Sequence, residues 1–133
     1  MSNLSPTPQF EITINSKEDV LDLQKGKIIA GPSSTSPGSS GFVGYPINPG
    51  TYQLTYSSDV TYHGSNLPVK KCIVYNTTDD QPGGWFYMVD DGASPLTIVV
   101  NDKGTNAGYI WAFVVDITSQ DNQGMGTVRV TPV

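Results

Sequence analysis

Apolar and polar residues alternate along much of this chain with the period of a β-strand. Residues 10–15 and 52–56 alternate strictly, so each predicts a strand with one buried face. Residues 69–75 predict a further strand, with Cys72 and Val74 on one face because successive side chains of a strand point to opposite sides. The pattern alone therefore favours β-structure.

Three other segments are apolar almost without interruption: residues 85–89, 96–100 and 109–115. Such runs are typical of strands that are buried on both faces or that lie where two sheets meet. We therefore expect Trp111, inside the third run, to belong to the core. Residues 127–130 predict the last strand of the chain.

Clusters of glycine, proline, asparagine and aspartate separate these strands, and no long helix is indicated. Residues 18–27 fit either a short helix or a strand edge, because periodicity over so few residues decides neither. Residues 31–41 predict a surface loop, and residues 1–8 predict a flexible N-terminus. The fold class that we expect is all-β, with residues 1–133 forming a single-domain β-sandwich or jelly roll.

Composition and charge then exclude several classes of protein. The 133 residues carry a net charge of -5 with only seven Lys and Arg, so nucleic acid is not an expected partner. No apolar stretch approaches the ~18 residues of a membrane span, and no signal peptide is apparent. We expect a soluble protein made in the cytoplasm, with later release as an open alternative. The single cysteine excludes an internal disulfide.

Catalytic residue types are scarce in this sequence. His63 is the only histidine, and no Gly-x-Ser-x-Gly motif is present to expose a nucleophilic serine. Cys72 lies in a strand pattern, where a buried and unreactive thiol is expected. The adjacent acids Asp79–Asp80 and Asp90–Asp91 fall in turns. We therefore expect no enzymatic activity, and a small hydrolase that uses carboxylates and His63 is the minor alternative.

One loop is rich in oxygen donors. Asp116 ends a predicted strand, and Asp121, Asn122 and Gln123 follow within residues 117–126. Calcium binds about six to eight hard oxygen atoms, which one loop and a neighbouring segment supply together. The spacing is not that of an EF-hand. In the simpler interpretation Asp116 caps the turn, and the following residues only tolerate left-handed backbone angles.

Two segments of the chain are similar to the PA-IL-like galactophilic lectins, which are small bacterial β-sandwich proteins that hold a sugar through calcium. In that family a strand that begins Gly-x-Ile ends in an aspartate, and ten residues later comes Gly-Ser-Phe-x-Val. Here Asp116 ends the strand that begins at Gly108, and Gly-Thr-Val-Arg-Val occupies residues 126–130. The family also has Asn-Pro-Gly before a Tyr-Gly loop, and residues 48–50 precede residues 62–64 at the same distance. The two matches cover about a third of the chain.

The resemblance implies a calcium site assembled from both segments. Asp116 would be a carboxylate ligand, and the main-chain carbonyl of Gln120 would be another. The facing loop would contribute the carbonyl of His63, or that of Tyr62 if the register is shifted by one residue.

The family also uses two consecutive asparagines, one of which contacts both metal and sugar. Their positions here hold Gln123 and Gly124, whereas Asp121 and Asn122 lie two residues earlier. Gln123 still offers an oxygen, and a shifted loop would bring in Asp121 or Asn122. The sequence therefore departs from the family at this point.

The resulting hypothesis is a calcium-dependent carbohydrate-binding module without catalytic activity. Two sugar hydroxyls would complete the calcium shell, and Asp116 or Gln123 would hydrogen-bond to them, while Tyr62, His63 and Trp85 are further candidate sugar contacts. Galactose-containing glycans are the ligands that the resemblance implies, and we expect a homo-oligomer that gains avidity. The alternative is a metal-free structural or interaction β-sandwich, such as a subunit of a toxin, fibre or other assembly.

Overall fold

The computed structural model describes residues 5–17, 19–24, 27–28, 45–64, 66–77, 85–100, 108–116 and 121–133. Within these ranges the chain forms β-strands and no helix, which confirms the all-β class. No described segment is therefore a helix capable of crossing a membrane. The strands are β1 (Phe10–Asn15), β2 (Val20–Asp22), β3 (Lys27–Ile28), β4 (Tyr45–Ile47), β5 (Gly50–Ser58), β6 (Thr61–Tyr62), β7 (Leu67–Pro68), β8 (Lys71–Thr77), β9 (Trp85–Asp90), β10 (Leu96–Val100), β11 (Gly108–Asp116) and β12 (Met125–Pro132).

The strands form two main sheets and one small hairpin. The first sheet has the order β1-β12-β5-β10 and is antiparallel throughout. The second sheet has the order β3-β2-β11-β8-β9, with β4 pairing on β11, and β2 runs parallel to β11. β6 and β7 pair as a two-stranded hairpin, and Thr61 of β6 also forms an isolated bridge with Gln123. The chain termini meet in the first sheet, where Phe10 faces Val130.

Alternating side chains of both sheets contribute to one hydrophobic cluster. In β1 the buried residues are Ile12 and Ile14, as the alternation predicted, and in β8 they include Cys72 and Val74. Within each strand the two buried side chains lie on the same face, because successive side chains of a strand point to opposite sides. Other buried members of the cluster include Val20, Ile47, Tyr52, Leu54, Val100, Ile110, Val114, Val128 and Val130.

The structure describes part of the segments that the sequence assigned to a helix or strand edge, to a surface loop and to a flexible N-terminus. Val20–Asp22, inside residues 18–27, is a strand and not a helix. Residues 31–41, predicted as a surface loop, lie outside the described residues. The part of the predicted flexible N-terminus that is described is hydrogen-bonded to the first sheet. There the Thr7 amide donates to the Tyr52 hydroxyl at 2.8 Å.

Of the two interpretations of the three apolar runs, burial on both faces is wrong. In β10, Ile98 is buried whereas Val99 is 53% exposed. In β9, Phe86 is 70% exposed, and Trp111 of β11 is half-buried on the face opposite the core. Hydrophobicity alone does not show which side of a strand will be covered, because that depends on the neighbouring sheet.

Candidate functional site

The oxygen-rich loop and the predicted facing loop lie side by side. Thr61 and Gln123 exchange two main-chain hydrogen bonds, each 2.9 Å long, as an isolated antiparallel bridge. The amide of Gly64 donates to the Asp121 carbonyl at 2.8 Å. This junction of residues 61–64 with residues 121–123, together with Asp116, is called the candidate site below.

The backbone at His63 and Gly64 allows this close approach. Both residues have positive φ, 53° at His63 and 67° at Gly64. A left-handed conformation is uncommon for a residue with a side chain, and such strain is found most often at functional loops. The turn is held by the Thr61 hydroxyl, which donates to the Gly64 carbonyl.

His63 and Asp121 meet at the outer rim of the site. The imidazole Nδ1 lies 3.4 Å from the Asp121 Oδ2, and the two side chains are 67% and 45% exposed. An exposed contact of this kind contributes little to stability. The His63 carbonyl, the ligand that the resemblance implies, accepts a hydrogen bond from the Asn66 amide at 3.3 Å and retains a second lone pair.

Tyr62 points inward and not toward a ligand. Its ring is buried, and its hydroxyl donates to the Val115 carbonyl at 2.6 Å. Burial raises the pKa of Tyr62, and the nearby negative charge of Asp116 raises it further. The structure therefore does not support the predicted sugar contact through the Tyr62 ring.

Asp116 ends β11 on the inner side of the site. It is half-buried, stands beside Asp22 in the parallel register with β2, and accepts the Leu23 amide at its carbonyl at 2.8 Å. Its charge acts on Tyr62, the residue that precedes His63. Asp116 therefore lies near the Tyr62 hydroxyl, whereas Asp121 contacts His63, the next residue of the hairpin.

Asn122 is fully buried between this loop and the turn after β1. Its side-chain Nδ2 donates to the Ser16 carbonyl at 2.8 Å, whereas its Oδ1 has no hydrogen-bond partner among the described residues. A buried acceptor without a partner costs about 1–3 kcal/mol. An amide oxygen is a hard donor of the type that calcium binds, so this atom fits the calcium ion that the resemblance implies.

Gln123 and Gly124 complete the loop. Gln123 is exposed, and its side-chain amide nitrogen lies 4.0 Å from the position that a Cβ at Gly64 would occupy. Gly124 has φ 82°, and a Cβ there would lie only 2.0 Å from the Asp59 carbonyl oxygen. Only glycine permits this approach of two backbones.

Two further predicted site residues are Gln120 and Trp85. Gln120 lies outside the described residues. Trp85 opens β9 opposite Asn76, which in turn faces Ile110. Asp116 lies six positions beyond Ile110 along β11, about 20 Å at ~3.3 Å per residue. The backbone of Trp85 therefore lies well away from that of Asp116.

A shallow groove beside Asn122 contains residues that the sequence did not single out. Its volume is about 330 Å³, and its lining includes Asn15, Ser16, Lys17, Gln123 and Met125. Residues 15–17 form the polar turn after β1, and the Lys17 amide donates to the Asn15 side chain at 2.9 Å. A run of polar residues directly after a strand is a signal for such a turn, but it does not indicate which loop the turn will meet.

Within the described ranges, no group of three or more His, Cys, Asp and Glu side chains is arranged to hold a metal. A cation at the candidate site would therefore take amide and main-chain oxygens besides Asp116 and Asp121. No family model matches the chain, and neither the curated proteins nor the solved structures include a match.

Proposed function

We propose that this chain is a calcium-dependent, non-catalytic carbohydrate-binding module with a β-sandwich architecture, related to the PA-IL-like lectins. One observation carries the proposal. The segment at residues 121–123 is hydrogen-bonded to the hairpin at residues 61–64, so residues from the two segments that the resemblance singled out lie side by side, which supports a shared site.

The donors at this junction match the preference of calcium for hard oxygens. The carboxylates of Asp116 and Asp121, the buried Asn122 Oδ1 and the side-chain oxygen of Gln123 would hold the ion, together with the His63 carbonyl. When bound, calcium would supply open coordination positions for two neighbouring sugar hydroxyls. The unpartnered Asn122 oxygen supports this assignment, because a cation would remove the cost of leaving it unsatisfied.

The groove beside Asn122 is the proposed place for the sugar. Asn15, Lys17 and Gln123 present amide and ammonium groups suited to hydroxyls, and Met125, which is 48% exposed, offers an apolar surface. Galactose-containing glycans remain the proposed ligand class, on the resemblance alone. Several assembled copies would raise the avidity of a single weak site.

Thermal unfolding tests the metal. The purified protein is melted in excess chelator, then with calcium, then with magnesium at the same concentration. A ligand bound only by the folded state adds about 2.7 kcal/mol at a hundred times its Kd. We expect calcium to raise Tm, and Asp121→Asn and Asp116→Asn to abolish that rise. Asp90→Asn, which alters an exposed pair with Lys71 at 2.7 Å, is the matched control and should keep it.

A glycan array in calcium and in chelator follows as the test of ligand class. Calcium-dependent retention of galactosides supports the proposal. If millimolar calcium leaves Tm unchanged, the calcium-dependent function is rejected. The second candidate is then a metal-free interaction module, which is favoured by the exposure of Phe86 and Met88 on the second sheet.

A further inference from the structure

The second sheet carries a continuous apolar surface on the side away from the core. The pairing registers place Phe113, Ile73 and Met88 in one row across β11, β8 and β9. The next row is Trp111, Tyr75 and Phe86. Because faces alternate along a strand, both rows lie opposite the buried side chains of β8 and β11. These six residues are called the aromatic face below.

The aromatic face is ordered by its own contacts and is accessible at one side. The Tyr75 and Trp111 ring centroids are 5.5 Å apart, and Tyr109 extends the series at 6.2 Å from Trp111. Phe86 is 70% exposed and Met88 is 59% exposed, while the other four members are half-buried. Contiguous apolar surface of this kind marks an interaction site, whereas isolated exposed apolar residues do not.

The first sheet shows what an ordinary solvent-facing side looks like in the same chain. Its outward residues include Thr55, Ser57 and Thr127, together with Arg129 paired to Glu11 at 3.1 Å. That face has the polar composition expected of one side of an antiparallel sheet in water. The aromatic face lacks it, so its composition is suited to contact with another molecule.

The charge distribution on the aromatic face permits a second copy as that molecule. The chain carries a net charge of -5, so two copies repel each other over most approaches. Neither row of the aromatic face contains a charged side chain, and the nearest cation in β8, Lys71, is already paired to Asp90 at 2.7 Å. Two such faces meet without burying an unpaired charge, which would be costly.

The available area fits a modest dimer. Large apolar side chains bury roughly 150–250 Å² each, so covering the exposed parts of Phe86, Met88 and Tyr109 removes about 300 Å² per copy. The half-buried members add to this, and two copies together approach the ~1,200 Å² lower end of specific interfaces. We propose that two copies of this chain associate through their aromatic faces, sheet against sheet, across a two-fold axis.

Sedimentation equilibrium of the full chain, from low to high micromolar concentration, tests the dimer. We expect the wild type to dimerise, and Phe86→Glu and Met88→Glu each to weaken the dimer at least tenfold. Val99→Glu, at a residue 53% exposed on β10 of the first sheet, is the matched control and should dimerise like the wild type. Circular dichroism and thermal unfolding check that each variant is folded.

A measurement on the wild type avoids dependence on the variants. Mild peroxide oxidises exposed methionines to the sulfoxide, with peroxide reduced to water. Met88 and Met125 are 59% and 48% exposed, and only Met88 lies on the aromatic face. We expect oxidation of Met88 to slow at least several-fold at high protein concentration, while Met125 oxidises at a constant rate.

Three results would overturn the proposal. One is a wild type that stays monomeric at the highest concentration. Another is a dimer that is unaffected by both glutamate variants while Met88 oxidises equally fast at all concentrations. The third is a monomer that binds insoluble polysaccharide in a manner lost in Phe86→Glu, since the face would then be a carbohydrate platform. None of these three results depends on calcium. The dimer can therefore be rejected while the calcium-dependent function stands, and the reverse is also true.

Discussion

The Tyr62 hydroxyl donates a 2.6 Å hydrogen bond to the Val115 carbonyl, at the point where β11 has separated from β8. The β8–β11 pairing ends at Phe113, so Tyr62 occupies the position of the missing strand neighbour. This bond ties the hairpin of β6 and β7 to the end of β11. It therefore helps to hold the hairpin beside Val115, the residue before Asp116.

Replacing Tyr62 by phenylalanine should destabilise the fold and the site together. The change removes the donor and leaves the Val115 carbonyl without it, at a cost of about 1–3 kcal/mol. Urea denaturation in chelator measures this loss, and a lower calcium response is expected in the same variant. Tyr109→Phe, at a residue 39% exposed, is the control and should change stability by less than about 0.5 kcal/mol. Equal midpoints for the two variants would contradict the role given to Tyr62.

Gly92 and Gly124 allow the cost of a left-handed backbone to be measured separately from the cost of a steric clash. Gly124 has φ 82° and Gly92 has φ 73°, but only at Gly124 would a Cβ meet a neighbour, the Asp59 carbonyl at 2.0 Å. Gly92→Ala should cost about 1–2 kcal/mol for the left-handed conformation alone. Gly124→Ala should cost clearly more and should remove the calcium response, because the loop must move. Denaturant midpoints of both variants check the order, and a smaller effect at Gly124 would refute it.

Asn122 should show different effects with and without metal. In chelator, Asn122→Ala loses the bond to the Ser16 carbonyl but also removes the unpartnered oxygen, so the net loss is expected to be about 1 kcal/mol. With calcium the deficit should grow, since the variant lacks a ligand. Thermal unfolding in the two conditions gives the difference. A deficit that is the same in both conditions would mean that Asn122 is structural only.

Alkaline pH should destabilise the protein through buried groups, among them Cys72 and Tyr56. Burial raises the pKa of the Cys72 thiol from 9.0 to about 12, and it raises that of Tyr56 from 10.0 to about 12. At a pH between the ordinary pKa values and the raised ones, the thiol and the phenol lose their protons in the unfolded chain and keep them in the folded chain. Stability is therefore full below about pH 9 and falls as pH rises toward the folded pKa values. Urea midpoints from pH 7 to 11 measure the decline, and Cys72→Ala should make it shallower.

The same protonation state keeps Cys72 unreactive. The thiol is 2% exposed and protonated at neutral pH, so alkylation requires unfolding. Iodoacetamide labelling at pH 8 is expected to be slow in buffer and to become rapid in denaturant. Rapid labelling of the folded protein would show that this part of the core opens.

The sequence determined what depends on neighbouring residues. The alternation at Ile12 and Ile14 was enough to predict β1 and its buried face, because a strand exposes its two sides in turn. Asp116 ends a predicted strand and residues 121–123 follow a few positions later, so the sequence alone predicted a loop rich in oxygen donors after that strand. The all-β class followed from many such short segments separated by turns.

Tertiary structure decided the properties that depend on residues far apart in the chain. The apolar run of β9 is typical of a buried strand. In the structure β9 lies at the edge of its sheet, and Phe86 is exposed. The candidate site depends on the hydrogen bond between Gly64 and Asp121. The buried Asn122 side chain is hydrogen-bonded to Ser16, more than a hundred positions away. A hydrophobic pattern records how apolar each residue is, whereas only the packed chain determines which residues are covered.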